Sequence, residues 1–342
     1  MEKNYRVVFS AQKVVELEET AMPDAVTADE VLVKTVVSQI STGTELSMLE
    51  REVDPDSLWA TKRTNYPIYP GYSNVGTIVK VGENVDPSLV GKRVITGAQH
   101  VKYFKCSKDT AKDLLADNVD SDDAVFAPIA QITLASIRVA NILPGDAVVV
   151  YGAGLIGQFT ARFAKISGAS KVFVVDLAQF RLDQLPDDPC FIKVNPANVA
   201  DIPAFIKEHN NGDLARVVFE TTGNQHVLPS ELYCVTKRGK FIITSSPKGK
   251  SAVDFDYVSV MGINIIGAHN WSAHPPVATP DNPWTRAREI TYYLELLEKE
   301  QMSVKNLVSH KANYKDAVDM YKMLMADRGS AMAVNLYWED EK

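Results

Sequence analysis

The chain has 342 residues, with 36 Lys+Arg against 43 Asp+Glu and a formal net charge of −7. Its 46% hydrophobic and 23% charged residues match a globular composition and exclude a disordered chain, and at roughly 100–200 residues per domain the length suggests two domains. A pI near 5.5 with mixed charge excludes the clustered basic surface of a nucleic-acid binder, and ordinary glycine and proline usage excludes fibrous and low-complexity classes.

The three cysteines, Cys106, Cys190 and Cys234, are too few for a disulfide framework and too scattered for a local metal-binding run. The N-terminal Met1-Glu-Lys-Asn-Tyr-Arg lacks the apolar region of a signal peptide, and no stretch approaches the ~18 consecutive apolar residues of a membrane span. The expectation is a cytoplasmic protein with no membrane and no nucleic-acid partner.

From Arg6 to about Lys105 the signals are short and β-like. Val31-Leu-Val-Lys-Thr-Val-Val and Val75-Gly-Thr-Ile-Val-Lys-Val read as strands, with Gly71, Gly76, Gly82 and Gly91 marking turns. From Asp146 to His269 the pattern becomes strand–helix–strand. Strands are predicted at Ala147–Tyr151, Val172–Asp176, Val217–Glu220, Phe241–Ser245 and Asn264–Gly267, with helices such as Leu155–Ser167 and Ile202–His209 between them. Such alternation means βαβ units and a parallel sheet. A loop rich in proline and histidine, Asn270 to Pro283, leads to a helix over Trp284–Lys299, then a second over Tyr314–Ala326 and a final strand, Met332–Trp338.

The most specific motif is Val148-Val-Val-Tyr-Gly152-Ala153-Gly154-Leu155-Ile156-Gly157. It follows an apolar strand and opens a helix, and Asp176 ends the next strand 19 residues after Gly157. This is the context of a dinucleotide fingerprint. Gly152 permits the tight turn, Gly154 lets the backbone approach a pyrophosphate, and Gly157 lets the helix pack on the strand. Asp176 is placed to accept hydrogen bonds from the adenosine ribose. It would repel a 2′-phosphate, so NAD(H) is favoured over NADP(H), a preference softened by nearby Arg181. Thr222 completes the expected cofactor set.

With this motif mid-chain and a β-rich region before it, the whole sequence resembles the medium-chain dehydrogenase/reductase (zinc alcohol dehydrogenase-like) superfamily. The resemblance rests on Ile40-Ser-Thr-Gly-Thr-Glu45, Pro70-Gly-Tyr-Ser-Asn-Val-Gly76, Pro128-Ile-Ala-Gln131 and the glycine loop. It implies an α/β fold: a GroES-like β-rich catalytic domain plus a Rossmann cofactor domain with a doubly wound parallel sheet. The expected layout is residues 1–123 catalytic, 124–269 cofactor-binding and 270–342 returning to the catalytic domain. It also implies a homodimer paired through edge strands near Asn264–Gly267.

In zinc members these landmarks read Cys-Gly-(Ser/Thr)-Asp, Gly-His-Glu-x-x-Gly and a segment ending in Cys. Here Thr42, Tyr72 and Gln131 stand at the three ligand positions, Ser73 replaces the glutamate, and the structural zinc lobe retains only Cys106. A catalytic zinc takes Cys, His or carboxylate ligands, so a zinc-free member is expected. Thr44 matches the family's proton-relay hydroxyl, and Glu45 a supporting acid. Tyr72 either exchanges a proton with the substrate or walls the pocket. Thr42 and Gln131 either contact substrate or merely fill the vacated ligand positions. His269 lies at the carboxyl edge of the expected sheet and is a candidate for proton transfer, or else a loop histidine satisfied by backbone. Asn270 and Trp271 are expected beside a polar substrate.

The leading expectation is a zinc-independent, NAD(H)-dependent oxidoreductase acting on a secondary alcohol or ketone of a sugar, sugar derivative or cyclitol. The alternatives are a zinc-free enone or quinone reductase and a non-catalytic dinucleotide-binding protein.

Overall fold

The computed structural model describes residues 2–52, 54–56, 65–270 and 272–339. In chain order the first part holds β1 (Asn4–Ala11), β2 (Val14–Thr20), β3 (Glu30–Ile40), α1 (Thr44–Glu50), β4 (Asn74–Val81), β5 (Arg93–Thr96), β6 (Tyr103–Ser107) and α2 (Ser121–Ala124). Next come α3 (Ala127–Ala140), β7 (Ala147–Tyr151), α4 (Leu155–Ile166), β8 (Lys171–Val175), α5 (Gln179–Leu182), β9 (Phe191–Val194), α6 (Ile202–His209) and β10 (Ala215–Glu220). The chain continues with α7 (Leu228–Glu231), β11 (Val235–Ile243), α8 (Phe255–Met261), β12 (Asn264–Gly267), α9 (Arg286–Glu298), β13 (Val308–Asn313), α10 (Ala317–Ala326) and β14 (Ala333–Tyr337).

These elements form two compact units. One is Ile129–Glu289; the other joins Met1–Pro128 to Ile290–Lys342. The sequence expectation assigned residues 270–289 to the return segment. In the structure they group with the parallel-sheet unit, where Asn270 and His274 hydrogen-bond Gln131 of α3 and Glu289 pairs with Arg138.

The Ile129–Glu289 unit is built on a six-stranded parallel sheet of order β12-β11-β10-β7-β8-β9. The central strands are continuous apolar runs because both faces are covered; all five residues of β7 are buried. The strand order runs outward in opposite directions from β7 and β10. Their carboxyl ends therefore flank the switch point at which open α/β sheets bind ligands. Strand β9 escaped sequence reading because it is only four residues long and follows Pro186-Asp-Asp-Pro189. Helix starts follow local chemistry: Asp201 and Asp254 cap α6 and α8 by accepting backbone N–H bonds from Ala204 and Tyr257.

The other unit pairs β1 with β2 and builds a second sheet of order β13-β14-β3-β4-β5, with β6 also on β3. Along the long β3, Val31, Val33 and Val37 are buried at alternate positions, the period of a strand with one face on a core. Val31 and Val33 pack with Ile78, Val85 and Val94, while a second core gathers Phe9, Ile40, Leu46, Leu49, Tyr321, Leu324 and Trp338, with Trp338 stacked on Tyr314 at 5.0 Å between ring centroids.

Two predicted helices start later than their apolar pattern suggests. The helix expected from Trp284 begins at Arg286, and Trp284 instead lies between the guanidinium groups of Arg138 and Arg288, 3.4 and 4.5 Å from its ring centroid. The helix expected from Tyr314 opens with a 3₁₀ turn, Tyr314–Asp316, capped by the Asn313 side chain, and becomes α-helical at Ala317. No helix among the described residues is long and apolar enough to cross a membrane.

Candidate functional site

The glycine loop leaves β7 at Tyr151 and enters α4 at Leu155, at the switch point of the sheet. Gly152 has φ of +95°, which side-chain-bearing residues rarely adopt. A Cβ on Gly157 would lie 1.8 Å from the Gly152 carbonyl oxygen, so only glycine lets α4 come this close. Gly154 is different: a Cβ there would meet nothing within 4 Å. Its backbone faces open space at the start of a twelve-residue helix whose first N–H groups lack a side-chain cap, the setting of an anion-binding helix terminus.

The remaining expected cofactor residues surround this loop. Asp176 follows β8; its carboxylate accepts 2.7 Å bonds from the backbone N–H groups of Ala153 and Ala178. Two bonds leave a carboxylate further lone pairs. Arg181, on α5, accepts at its carbonyl a 2.7 Å bond from the Gln158 side chain, which also donates to the Ala153 carbonyl. Gln158 is fully buried and is held in turn by Arg162 at 2.6 Å. Sequence reasoning missed this pair; its only trace is two long polar residues one turn apart on the buried face of a helix.

Thr222 lies after β10 and is bound up with Glu220. The fully buried Glu220 accepts from the Thr222 N–H, the Thr222 hydroxyl and the Gly223 N–H at 2.6, 2.7 and 2.8 Å, and from the Ser245 hydroxyl. The neighbouring Thr221 hydroxyl donates to the Tyr151 carbonyl at 2.6 Å, joining the ends of β7 and β10. Glu231 is also fully buried, but neither of its carboxyl oxygens has a partner. Burial, then the nearby Glu220 charge, pushes its pKa up to about 9, so it is protonated at neutral pH.

Within the same unit, Gln131 on α3 donates from its amide to the Asn270 side-chain oxygen at 2.9 Å and reaches the His274 ring at 2.9 Å. His274, not among the candidate residues of the sequence, joins the expected substrate residues Gln131 and Asn270. Burial, then the Arg286 charge, lowers its pKa and favours the neutral ring. His269 is half-buried, and its carbonyl accepts from the N–H groups of Ser272 and Ala273 in the turn that follows β12. Trp271 lies outside the described residues.

In the other unit, Thr42 and Thr44 lie before and at the start of α1, and Tyr72 lies just before β4. Thr44 is the first residue of the helix; Thr42, Thr44 and Tyr72 are all half-buried. The Tyr72 hydroxyl donates to Ser41 Oγ at 2.7 Å, and the same oxygen accepts the Thr44 N–H at 3.3 Å. Ser41 was not singled out in the sequence, because nothing local marks a serine that meets a tyrosine 31 positions away. Gly71 fixes the approach: its φ is +107°, and a Cβ there would lie 2.5 Å from the His100 nitrogen.

Beneath α1 lies a fully buried polar network. Glu45 Oε2 is 3.2 Å from His100 Nε2 and accepts the Tyr321 hydroxyl; His100 Nδ1 is 2.8 Å from Ser38 Oγ, which also accepts the Trp338 indole N–H at 2.8 Å. Glu45, expected as a supporting acid, is held here by His100 and Tyr321, neither of them a candidate site residue in the sequence. Cys106 lies on β6, and burial pushes its thiol up to about 11, so it is not a thiolate. Among the described residues no three His, Cys, Asp or Glu side chains group as metal ligands.

Two family models match in tandem. The alcohol dehydrogenase GroES-like domain covers residues 27–120, and the zinc-binding dehydrogenase model covers 156–278. The tandem of these two domain models supports membership of the medium-chain dehydrogenase/reductase superfamily. As such it is a dehydrogenase/reductase acting on CH–OH groups. Among relatives, it is 23% identical to the zinc-type alcohol dehydrogenase-like protein YdjJ of Escherichia coli K12, over 76% of this chain and 79% of that one. It is 23% identical to a D-xylulose reductase of Scheffersomyces stipitis, over 67% of this chain and 61% of that one. An Escherichia coli oxidoreductase/dehydrogenase of unknown specificity shares the fold, with a TM-score of 0.82 at 20% identity, covering 99% of this chain and 100% of that one.

Proposed function

We propose that this enzyme is a zinc-independent, NAD(H)-dependent oxidoreductase that interconverts a secondary alcohol and a ketone on a polar, polyhydroxylated substrate. The observation that carries the reading is the donor set at the family's three zinc positions. Thr42, Tyr72 and Gln131 are neutral, and two are already hydrogen-bonded, Tyr72 to Ser41 and Gln131 to Asn270 and His274. Zinc takes thiolate, imidazole or carboxylate ligands. These residues do not fit it, and no step is routed through a metal.

The residues around the glycine loop do fit a dinucleotide. The open backbone at Gly154 and the N-terminus of α4 would hold its pyrophosphate, and the Asp176 carboxylate its adenosine ribose, which supports NAD(H) over NADP(H). When bound, the nicotinamide accepts or gives the hydride. Ala153 and Leu155 to Ile156 shape the loop, while Arg181 and Thr222 hold its neighbours through Gln158 and Glu220.

Proton movement falls to the other unit. As Tyr72 takes the alcohol proton it passes its own to Ser41, whose oxygen accepts the Tyr72 O–H and the Thr44 N–H, and Ser41 gives up its own hydroxyl proton through Thr44 to water. This exchange leaves the tyrosine neutral throughout. Thr44, half-exposed at the start of α1, carries the proton onward. Within its own unit Thr42 adds a further polar contact proposed for the substrate, and His269 is proposed as a proton-transfer residue. The relative named D-xylulose reductase supports a sugar or polyol substrate class. A homodimer through the β12 edge is also proposed; Phe255 and Val260 on the preceding α8 are 73% and 69% exposed, an apolar surface for a partner to cover.

The test replaces Tyr72→Phe and Ser41→Ala and screens polyols with NAD. Each variant is expected to lower kcat about 10²- to 10³-fold, the range of a lost acid–base group, with NADH affinity unchanged. Full turnover in both would refute the relay.

A further inference from the structure

We infer that Arg286 forms an anion-binding end of the substrate site, so that the preferred substrate is a polyol carrying a carboxylate or a phosphate monoester. This deepens the reading proposed above and rests on it for the identity of the site. Arg286 opens α9, and its guanidinium is fixed by a 2.6 Å bond to the Asn270 carbonyl. The Asn270 side chain meets Gln131, at the family's third ligand position, and Gln131 meets His274. The cation is thereby anchored to the cluster in which substrate contacts are proposed.

Arg286 spends one of its five donors on the Asn270 carbonyl. The two arginines that flank Trp284 at the start of α9 are spoken for. Arg138 is paired with the buried Glu289 at 3.1 Å and stacked on Trp284, and Arg288 stacks on the same ring. Among the described residues no carboxylate pairs with Arg286, and after burial its charge is the next cause of the lowered His274 pKa. A planar guanidinium held at one edge presents its remaining N–H groups as a fork, the geometry that binds carboxylate or phosphate oxygens in pairs. A neutral polyol would leave that fork to water.

The experiment titrates the NADH-loaded protein with sorbitol, gluconate and sorbitol 6-phosphate by calorimetry, and assays the same three compounds with NAD. The expected result is about tenfold or tighter binding of at least one anion than of sorbitol, the advantage of a charge-assisted bidentate contact. The gluconate and phosphate arms decide which anion is served. In Arg286→Gln the ratio of anion to sorbitol affinity collapses to about one, Arg286→Lys retains part of it, and Arg288→Gln keeps it whole. Equal binding of all three compounds, no binding of any, or a ratio untouched in Arg286→Gln overturns the inference. Anion-selective binding without turnover would overturn the oxidoreductase reading and leave the subsite standing; turnover of sorbitol with no preference for anions would do the reverse.

Discussion

The two units state their functions in different ways. Around the glycine loop the site is made of backbone: three glycines, two strand ends and a helix start. Beneath α1 it is made of side chains that meet across long separations, Glu45 with His100 and Tyr321, Ser38 with Trp338, and Ser41 with Tyr72. A backbone site constrains which residues are tolerated at fixed spacing and leaves a mark in sequence. A side-chain network leaves none until the sheet brings its members together.

The sharpest break of this contrast uses two glycines three residues apart. Gly157→Val drives a side chain into the Gly152 carbonyl and is expected to abolish NADH binding and to cost several kcal/mol of stability, since backbone on both sides cannot yield. Gly154→Val meets open space and is expected to leave the thermal midpoint unchanged while weakening NADH at least about tenfold, through obstruction of the ligand alone. Fluorescence titration and thermal unfolding separate the two. Equal stability losses would show that Gly154 serves the fold and not a ligand.

The side-chain network predicts the next largest effect. His100→Ala leaves Glu45 buried with one fewer partner and is expected to cost about 3–5 kcal/mol, as breaking one side of a buried ionic or strongly hydrogen-bonded pair does. Urea unfolding measures it; a loss below about 1 kcal/mol would mean that the pair is incidental.

The smallest effect comes from Glu231. Its folded-state pKa of about 9 lies above the ordinary carboxylate value, so between that ordinary value and pH 9 the folded protein holds a proton that the unfolded chain releases. Stability therefore falls as pH rises through this window. Glu231→Gln removes the proton uptake and is expected to match the wild type near pH 4.5 and to be the more stable of the two at pH 8. Denaturant midpoints at the two pH values check it, and parallel curves for both proteins would contradict it.

Much of the fold was legible in sequence. The central strands and the glycine loop were found because apolar runs of five residues and a fixed glycine spacing have few alternative explanations. Strand β9 was missed because four residues between prolines carry too little pattern. Trp284 was drawn into a helix by its apolar character, although its ring is taken up by two arginines. At the candidate site, Thr42, Tyr72 and Gln131 were found by resemblance alone. Ser41, His274 and Arg286 were not, since each acquires its place from partners 16 to 143 positions distant.

The central claim is that this enzyme works with hydroxyl and amide groups where its relatives' family pattern places zinc ligands. The most direct measurement is elemental analysis of the purified, active enzyme, repeated after prolonged exposure to a strong chelator. The account expects far less than one zinc per chain and undiminished turnover after chelation. One zinc per chain, with activity lost on chelation and restored by zinc, would contradict it.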